Sequence, residues 1–378
     1  MNRLLYICIG SILFIFTFIA CDKKRESPVL ISNLKSFSPS GNKIKLSELL
    51  TDSCRLIPLE TTDDSLLGKI YKIKKHNNTY YLLSDDRWIL RFDENGKFIS
   101  SLNCLGSGPE EYTYIGDFDV YTVDGRDEIW LCDYDHIKIY DAEHLTYLRS
   151  IHYPFVINKF KRIDVSHILL LTGQNKQMLT LSNEEGKVIS VFLEKEIAYI
   201  VWRPVQFRQY SSQLIFQLGM ANSYVSFDLE KNNFHRGILC NCQELLSDKE
   251  LLDLFIQYGQ DYIWHIDQRK PYIRGIQKLK EKTIVNICSE NDEYIVSVPA
   301  TTAEACTIGS FSVTSTIEND LFGLKDMSFL KTINIGESSS GLLLYIEADM
   351  LQDIPIKDKN GIIHNIQPED NPCLVEFY

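Results

Sequence analysis

The sequence predicts an all-β protein, a six-bladed β-propeller with a short helical insertion between blades four and five. The first observation behind this is a repeat of about 45 residues built from short strands, a spacing typical of propeller blades or of a solenoid. Its clearest copy lies at 81–102, and a second copy lies at 130–151. The second observation is a break in this rhythm after Cys240, where apolar residues recur at helical spacing. Four regular blades before the break and two less regular ones after it make six.

Blade one is predicted as four strands, because β-branched and aromatic residues recur in short runs bounded by Asn, Asp and Gly. These strands are placed at 69–75, 79–85, 87–93 and 97–103. The segment Asp93-Glu-Asn-Gly96 is a hairpin turn between the last two strands. Blades two, three and four are placed at about 115–153, 159–194 and 204–240.

The helical insertion is predicted over 242–266. Leucine and phenylalanine recur there with helical spacing, and Ser247-Asp-Lys-Glu250 matches a capping box at a helix start. Two short helices are expected, and strand patterns resume at Tyr272.

The ends of the chain are expected to meet. An isolated strand is predicted at 54–59, and a last strand follows a turn near the C-terminus. An open propeller would leave two exposed blade edges, so we expect the strand near 374–377 to pair with 54–59.

The first twenty residues have the composition of an export signal. Arg3 precedes an uncharged apolar run, and Ala20-Cys21 stands directly before a charged segment. Phe18-Ile-Ala-Cys21 resembles a bacterial lipobox, which would make Cys21 the acylated mature N-terminus. The alternative is an uncleaved membrane anchor, and either one would tether the protein to a membrane. The predicted organisation is a lipoprotein signal peptide over 1–20, a tether over 21–43 and the propeller over 44–378.

Composition excludes one class of partner and argues against a disulfide framework. The net charge of the 378-residue chain is −12 and no basic stripe is visible, whereas nucleic-acid binding needs clustered Lys and Arg. Of the ten cysteines, most stand among apolar neighbours, and Cys240-Asn-Cys242 lacks the second half of a zinc pattern. Free thiols packed in the core are therefore expected.

Four segments carry a resemblance to a known family. They lie at 59–68, 92–98, 105–112 and 370–372, and the most specific is Gly106-Ser-Gly-Pro-Glu-Glu-Tyr112. On these residues the chain resembles the six-bladed β-propeller lipoproteins of gut Bacteroidota, of the NHL or TolB-like kind, over about 44–378. Glu110 stands where that family has Gly, which affects the local turn but not the fold. The resemblance implies a cell-envelope lipoprotein, at the outer membrane, without a defined activity.

No catalytic motif, cofactor motif or metal motif is found. The sequence has no His-Glu-x-x-His, no Gly-x-Ser-x-Gly and no phosphate-binding glycine loop, and no two histidines are spaced as a metal pair along one strand or helix. The expectation is therefore no cofactor, no metal and no catalytic residue.

Propeller topology points to a binding face instead. The turn between the second and third strands of a blade lies on the same face as the loop to the next blade, and here these segments carry carboxylates and aromatic rings. The predicted binding residues are Asp85, Asp86, Glu110, Glu111, Tyr112, Asp133, Asp135, Trp202 and Trp264. Carboxylates with aromatic platforms suit sugar or peptide recognition. The alternative is structural: each Asp bonds its own turn and each ring packs between blades.

The loop over 105–112 is expected to be preorganised. Pro109 fixes one backbone angle, and Gly108 is expected to need a positive φ. Glu111 could face a ligand, or it could link blades one and two.

The function predicted from the sequence is a membrane-tethered propeller of the cell envelope that binds a glycan, peptide or protein through its loop-rich face, without catalysis. One alternative is a metal-dependent propeller enzyme, lactonase-like or lyase-like, with a metal in the channel. Another is a structural subunit of an outer-membrane uptake complex.

Overall fold

The computed structural model describes residues 29–31, 34–39, 41–172, 177–194, 207–210, 213–217, 222–231, 233–266, 270–289, 292–299, 305–312, 315–324, 326–339, 341–357 and 361–378. Six small sheets form a ring, so the predicted six-bladed β-propeller is confirmed.

The first five blades each have four antiparallel strands in sequence order. Blade one comprises Ile70–His76, Thr79–Ser84, Trp88–Asp93 and Phe98–Leu102. Blade two comprises Asp117–Val123, Arg126–Asp133, His136–Asp141 and Tyr147–His152. Blade three comprises Ile157–Arg162, Ile168–Thr172, Gln177–Ser182 and Val188–Glu194. Blade four comprises Arg208–Tyr210, Gln213–Gln217, Ser223–Asp228 and Asn233–Cys240. Blade five comprises Tyr272–Leu279, Lys282–Ser289, Asp292–Pro299 and Thr307–Ser310.

Blade six joins both ends of the chain. Its strand Cys373–Phe377 lies between Leu342–Ile346 and Cys54–Pro58 and is antiparallel to both. The expected closure of the ring is thus confirmed. The five residues of Cys373–Phe377 are buried, so the closing strand is part of the core.

A two-residue strand, Gly336–Glu337, runs parallel to the first strand of blade one. It belongs to the segment leading into blade six, and it brings Glu337 into the channel at the centre of the ring. The first strands of blades one, two and three neighbour one another around the same channel.

The insertion between blades four and five is helical, as predicted. The α-helix Asp248–Tyr258 begins with a capping box, in which Ser247 accepts from the backbone N–H of Glu250 and Glu250 accepts from the backbone N–H of Ser247. A 3₁₀ helix, Gly259–His265, follows directly. Within the described part of the chain, no helix is long and apolar enough to span a membrane.

Short elements fill the seam between blades five and six. They are the helices Leu46–Leu49, Ser328–Asn334 and Ala348–Leu351, the parallel pair Ile44–Lys45 and Ile317–Glu318, and the hairpin Pro355–Lys357 with Ile363–Asn365. Their apolar side chains form one cluster with the inner residues of blade six.

Part of the segment interpreted as a tether packs on the propeller. Val29–Ile31 adds to the outer edge of blade four, parallel to its last strand, with Ile31 opposite Cys240. Leu34 and Phe37 are buried in the adjoining core. This differs from a segment extended away from the domain, and the reason is the apolar side chains that it carries among its polar ones.

No disulfide joins the eight cysteines of the described residues, in agreement with the expected free thiols. Burial raises the pKa of Cys240 to about 12 and also raises the pKa of Cys242, so both remain neutral thiols.

Candidate functional site

The predicted face, here called the upper face, is the one on which the turns 84–88 and 133–136 meet the inter-blade loops. The backbone N–H of Ile115 donates to the Asp86 carbonyl, and those of Tyr153 and Ile157 donate to the carbonyls of Asp135 and Tyr134. These two inter-blade loops are therefore tied to the turn of the blade that precedes them.

Several predicted carboxylates bond to the backbone of these loops. Asp85 has a left-handed backbone, with φ of 53°, and its Oδ1 accepts from the N–H of Lys69 at 3.0 Å. Asp133 is buried and accepts from both the N–H and the hydroxyl of Thr113. Both residues therefore have a structural role, although each holds a neighbouring loop rather than its own turn, which was the alternative considered from the sequence.

The loop over 104–112 folds on itself. Gly106 donates to the Tyr112 carbonyl at 2.9 Å, Tyr112 donates back to the Cys104 carbonyl at 3.0 Å, and Glu111 Oε2 accepts from the N–H of Gly108 at 2.7 Å. Tyr112 is fully buried and packs edge-on against Tyr140, so its ring does not face a ligand. The Glu110 side chain is exposed, while its carbonyl accepts from the Tyr140 hydroxyl.

The expectation about Gly108 is wrong, because Gly108 is not among the glycines with positive φ. At Gly106, by contrast, a side chain would displace the Glu111 carboxylate. A Cβ there would lie 1.9 Å from Glu111 Oε2, whereas a Cβ on Gly108 would lie 3.1 Å from the same atom.

We therefore expect Gly106→Ala to cost about 1 kcal/mol of folding free energy, since the Glu111 carboxylate must leave its hydrogen bond to Gly108. Glu111→Ala should cost a similar amount, and adding Gly106→Ala to it should then cost little more. Thermal and urea unfolding of the two single variants and the double variant measure this coupling. Glu110→Ala is the matched control, expected within about 0.5 kcal/mol of the wild type; fully additive single effects would contradict the contact.

The remaining predicted residues are dispersed. Trp264 lies in the 3₁₀ helix of the insertion and is 73% exposed. Trp202 lies outside the described residues, as does Cys21.

The upper face also carries three tyrosines around one carboxylate, a group that was not predicted from the sequence. This group, here called the aromatic patch, consists of Tyr71, Tyr114, Tyr134 and Asp86. The Tyr114 and Tyr134 ring centroids are 5.6 Å apart, and both rings are partly exposed. Burial raises the pKa of Asp86, although a hydrogen bond from Tyr71 opposes that shift. Tyr71 and Tyr114 come from the first strand of blade one and from the inter-blade loop, so only the fold brings them to Asp86.

On the opposite, lower face the channel opens into a cup of about 560 Å³. It is lined by the last residues of the first strands and by the turns that follow them, including Asn77 and Lys280. Its volume falls within the range of small-molecule sites. Among the described residues that line it, six are cationic, namely Lys74, Lys75, Lys161, Arg208, Lys278 and Lys280, and one is a carboxylate, Glu337.

The floor of the cup is a buried network of ion pairs in the channel. Lys74 Nζ lies 2.7 Å from Asp119 and 3.2 Å from Glu337. Lys161 Nζ lies 2.6 Å from the other oxygen of Asp119. Lys72 Nζ lies 2.9 Å from Asp117 and 3.4 Å from Glu337.

The cations of this network keep its carboxylates ionised. Burial alone would raise the pKa of Asp119, but Lys161, Lys74 and Lys72 hold it well below the usual carboxyl range. The same three lysines overcome burial to lower the pKa of Glu337. Burial lowers the pKa of Lys161 despite its contact with Asp119. At neutral pH the channel therefore holds paired buried charges, and removal of one partner would leave an uncompensated charge.

A sequence signal for this network exists. Lys72 and Lys74, Asp117 and Asp119, and Lys159 and Lys161 are pairs separated by one residue, on the first strands of three successive blades. A spacing of two places both members on one side of a strand. Alternating signs on consecutive inner strands predict ion pairs across the channel once the strands are assigned.

Comparison with known proteins adds a family and a fold. The family described as "Domain of unknown function (DUF4934)" matches residues 31–378. The crystal structure of "a Putative exported protein" from Bacteroides fragilis superposes with a TM-score of 0.70 at 14% identity, covering 92% of this chain and 99% of that one. The structure of U3-55K superposes with a TM-score of 0.47 at 9% identity, over 87% of this chain and 99% of that chain. No curated protein matches the sequence.

Proposed function

This chain belongs to the DUF4934 family, whose function is unknown, and from that premise we propose that it is an exported binding protein whose lower cup receives an anionic ligand. The observation that carries the proposal is a local charge opposite to that of the whole chain. The chain has a net charge of −12, yet cationic side chains dominate the lining of the cup. Acidic glycans and carboxylate-bearing peptides are the ligand classes that such a lining favours.

The positive charge that supports binding of an anion lies at the rim of the cup, because the lysines deeper in the cup are paired with carboxylates. The carboxylates that pair with Lys74, Lys75 and Lys161 are Asp119, Glu337 and Glu376. Asp119 and Glu376 are 2% exposed or less in their side chains and lie behind the lining. Lys278 and Lys280 stand at the rim and are exposed, so they add positive potential where a ligand enters.

To test this, we expect acidic oligosaccharides containing uronic acids to show in calorimetry a binding event that neutral oligosaccharides of equal length do not show. The double variant Lys278→Gln/Lys280→Gln should weaken binding about tenfold, since two rim charges each contribute up to about 1 kcal/mol. Raising the salt concentration should weaken binding further.

The control for this experiment is Lys97→Gln/Lys249→Gln, which removes the same charge at exposed positions away from the cup. Equal binding of acidic and neutral sugars, unaffected by the rim variant, would exclude the cup as an anion site. Peptides with a free and an amidated C-terminus provide a second pair of probes for the same variants.

The aromatic patch of the upper face supports a second binding site, for a glycan or peptide. Tyr114 and Tyr134 offer ring faces beside the Asp86 carboxylate, a combination that suits stacking on a sugar and hydrogen bonding to its hydroxyls. This follows the loop-rich face predicted from the sequence. In the same calorimetry, Tyr134→Ala should reduce binding of the neutral oligosaccharides and leave binding of the acidic oligosaccharides to the cup unchanged. Tyr378→Ala is the control at another exposed tyrosine.

Location in the cell envelope, with a lipid anchor at the outer membrane, completes the proposal. It is supported by the Ala20-Cys21 junction after an uncharged run and by the likeness to a Bacteroides fragilis protein described as exported. We expect Cys21→Ser to abolish fatty-acid labelling and to slow removal of the signal. Unchanged labelling of that variant would contradict lipidation at Cys21, and Cys8→Ser is the matched control within the signal.

A further inference from the structure

A cluster of three potential metal ligands lies at the upper rim of blade two. Asp135, His136 and His152 each offer one donor atom, and these atoms all lie within 4.8 Å of one another. No other group of three such residues was found in the part of the chain that the structure describes. From this geometry we propose that Asp135, His136 and His152 bind a divalent transition-metal ion of the Zn²⁺ class.

The cluster is built by strand pairing rather than by spacing along one strand. His136 opens the third strand of blade two and His152 ends the fourth, and the two are directly opposite each other in the antiparallel register. Their ring centroids are 4.7 Å apart. Asp135 precedes His136 in the turn, so its carboxylate reaches both rings: Oδ1 lies 2.6 Å from His136 Nδ1, and Oδ2 lies 3.5 Å from His152 Nε2.

The backbone holds the three residues in place. The Asp135 carbonyl accepts from the N–H of Tyr153 at 2.8 Å, directly after His152. The Tyr134 carbonyl accepts from the N–H of Ile157 at 2.8 Å. The turn and the end of the fourth strand are therefore fixed to one another, and only the side chains need to move.

The distances suit a metal after small side-chain rotations. Zn²⁺ binds imidazole nitrogen at about 2.0–2.1 Å and carboxylate oxygen at about 2.0–2.2 Å, so two ligands of a tetrahedral site lie about 3.4 Å apart. The distance from Asp135 Oδ2 to His152 Nε2, 3.5 Å, is already close to this value. The distance from Asp135 Oδ1 to His136 Nδ1, 2.6 Å, must increase by less than about 1 Å. The side chains are 37% to 62% exposed, so all three border solvent.

The chemistry of the three donors indicates which ion would bind. The set combines two imidazole nitrogens with one carboxylate oxygen. Imidazole-rich ligand sets select Zn²⁺, Cu²⁺ or Ni²⁺ rather than the oxygen-seeking Mg²⁺ or Ca²⁺.

The same blade supplies a matched control. His144 pairs with Asp141 at 3.1 Å, and in blade three His167 pairs with Asp164 at 2.9 Å. Each of these pairs has one imidazole and one carboxylate. If the third ligand matters, these pairs should bind metal far more weakly.

The test uses the mature protein without a histidine tag, treated with chelator and titrated with Zn²⁺ by calorimetry and with Co²⁺ by visible absorption. We expect one ion per chain and the d–d bands of a nitrogen-coordinated Co²⁺ site. His136→Ala and His152→Ala should each weaken binding on the order of 100-fold, with Asp135→Asn weakening it about tenfold or more.

His144→Ala should leave affinity and spectrum unchanged, and thermal unfolding should show that all variants remain folded. Absence of saturable Zn²⁺ binding, or an equal loss in His144→Ala, would overturn the proposal. The site is on the opposite face from the cup, so the rim variant Lys278→Gln/Lys280→Gln should bind Zn²⁺ like the wild type, and the two proposals can fail separately.

Discussion

Removal of residues 370–378 is expected to prevent the domain from folding. The strand Cys373–Phe377 pairs on both edges, and Leu374, Val375 and Phe377 are fully buried. Each such side chain contributes about 1.5–3 kcal/mol on burial, so their combined loss is comparable to the total stability of about 5–15 kcal/mol of a typical domain. The deletion would also expose the edges of two strands to pairing with other chains.

Far-ultraviolet circular dichroism, thermal unfolding and size-exclusion chromatography check this result. Deleting Tyr378 alone is the control, because its side chain is 46% exposed and only its N–H bonds to Ser53. A truncated protein with an unchanged melting temperature would contradict closure of the ring by this strand.

Asp119→Asn is expected to be the most destabilising single substitution in the channel, at about 3–5 kcal/mol, because it leaves Lys161 and Lys74 without a shared buried carboxylate. Asp124→Asn, in the exposed turn that follows the same strand, is the control. Urea unfolding at neutral pH measures both.

The pH dependence gives an independent check. The folded pKa of Asp119 lies below its unfolded value, so its contribution is fully present above about pH 4 and is lost as the pH falls through the folded pKa. The wild-type protein should therefore lose more stability on acidification than Asp119→Asn. In the variant, Lys161 loses its partner and its already lowered pKa should fall further, so stability should rise again with increasing pH. Parallel acid profiles for the two proteins would contradict this account.

The strands could be predicted because each carries its own pattern. Apolar alternation and turn residues mark the four strands of blade one to within one or two residues of their observed limits, and the capping box marks the helix that begins at Asp248. The closure at Cys373–Phe377 could be predicted from the general cost of an open edge.

Features that depend on contacts between distant segments were harder to predict. Nothing local in Val29–Ile31 indicates that it pairs with blade four, and the closeness of His136 to His152 depends on the register of two strands. The Gly108 expectation failed because the constraint at this loop comes from the Glu111 side chain above Gly106 and not from a backbone angle. Carboxylates on turns were the weakest guide to a site, since Asp85 and Asp133 bond to the inter-blade loops beside their turns.

The pairing of Cys54–Pro58 with Cys373–Phe377 also sets the order in which the molecule can form. The two strands are separated by most of the chain, and contacts of such long range are slow to form because the loop between them must be closed first. Blades one to five pair strands that are adjacent in sequence, but the ring cannot close until Cys373–Phe377 has left the ribosome. For the exported protein proposed above, translocation that begins before that point acts on a chain whose ring is still open.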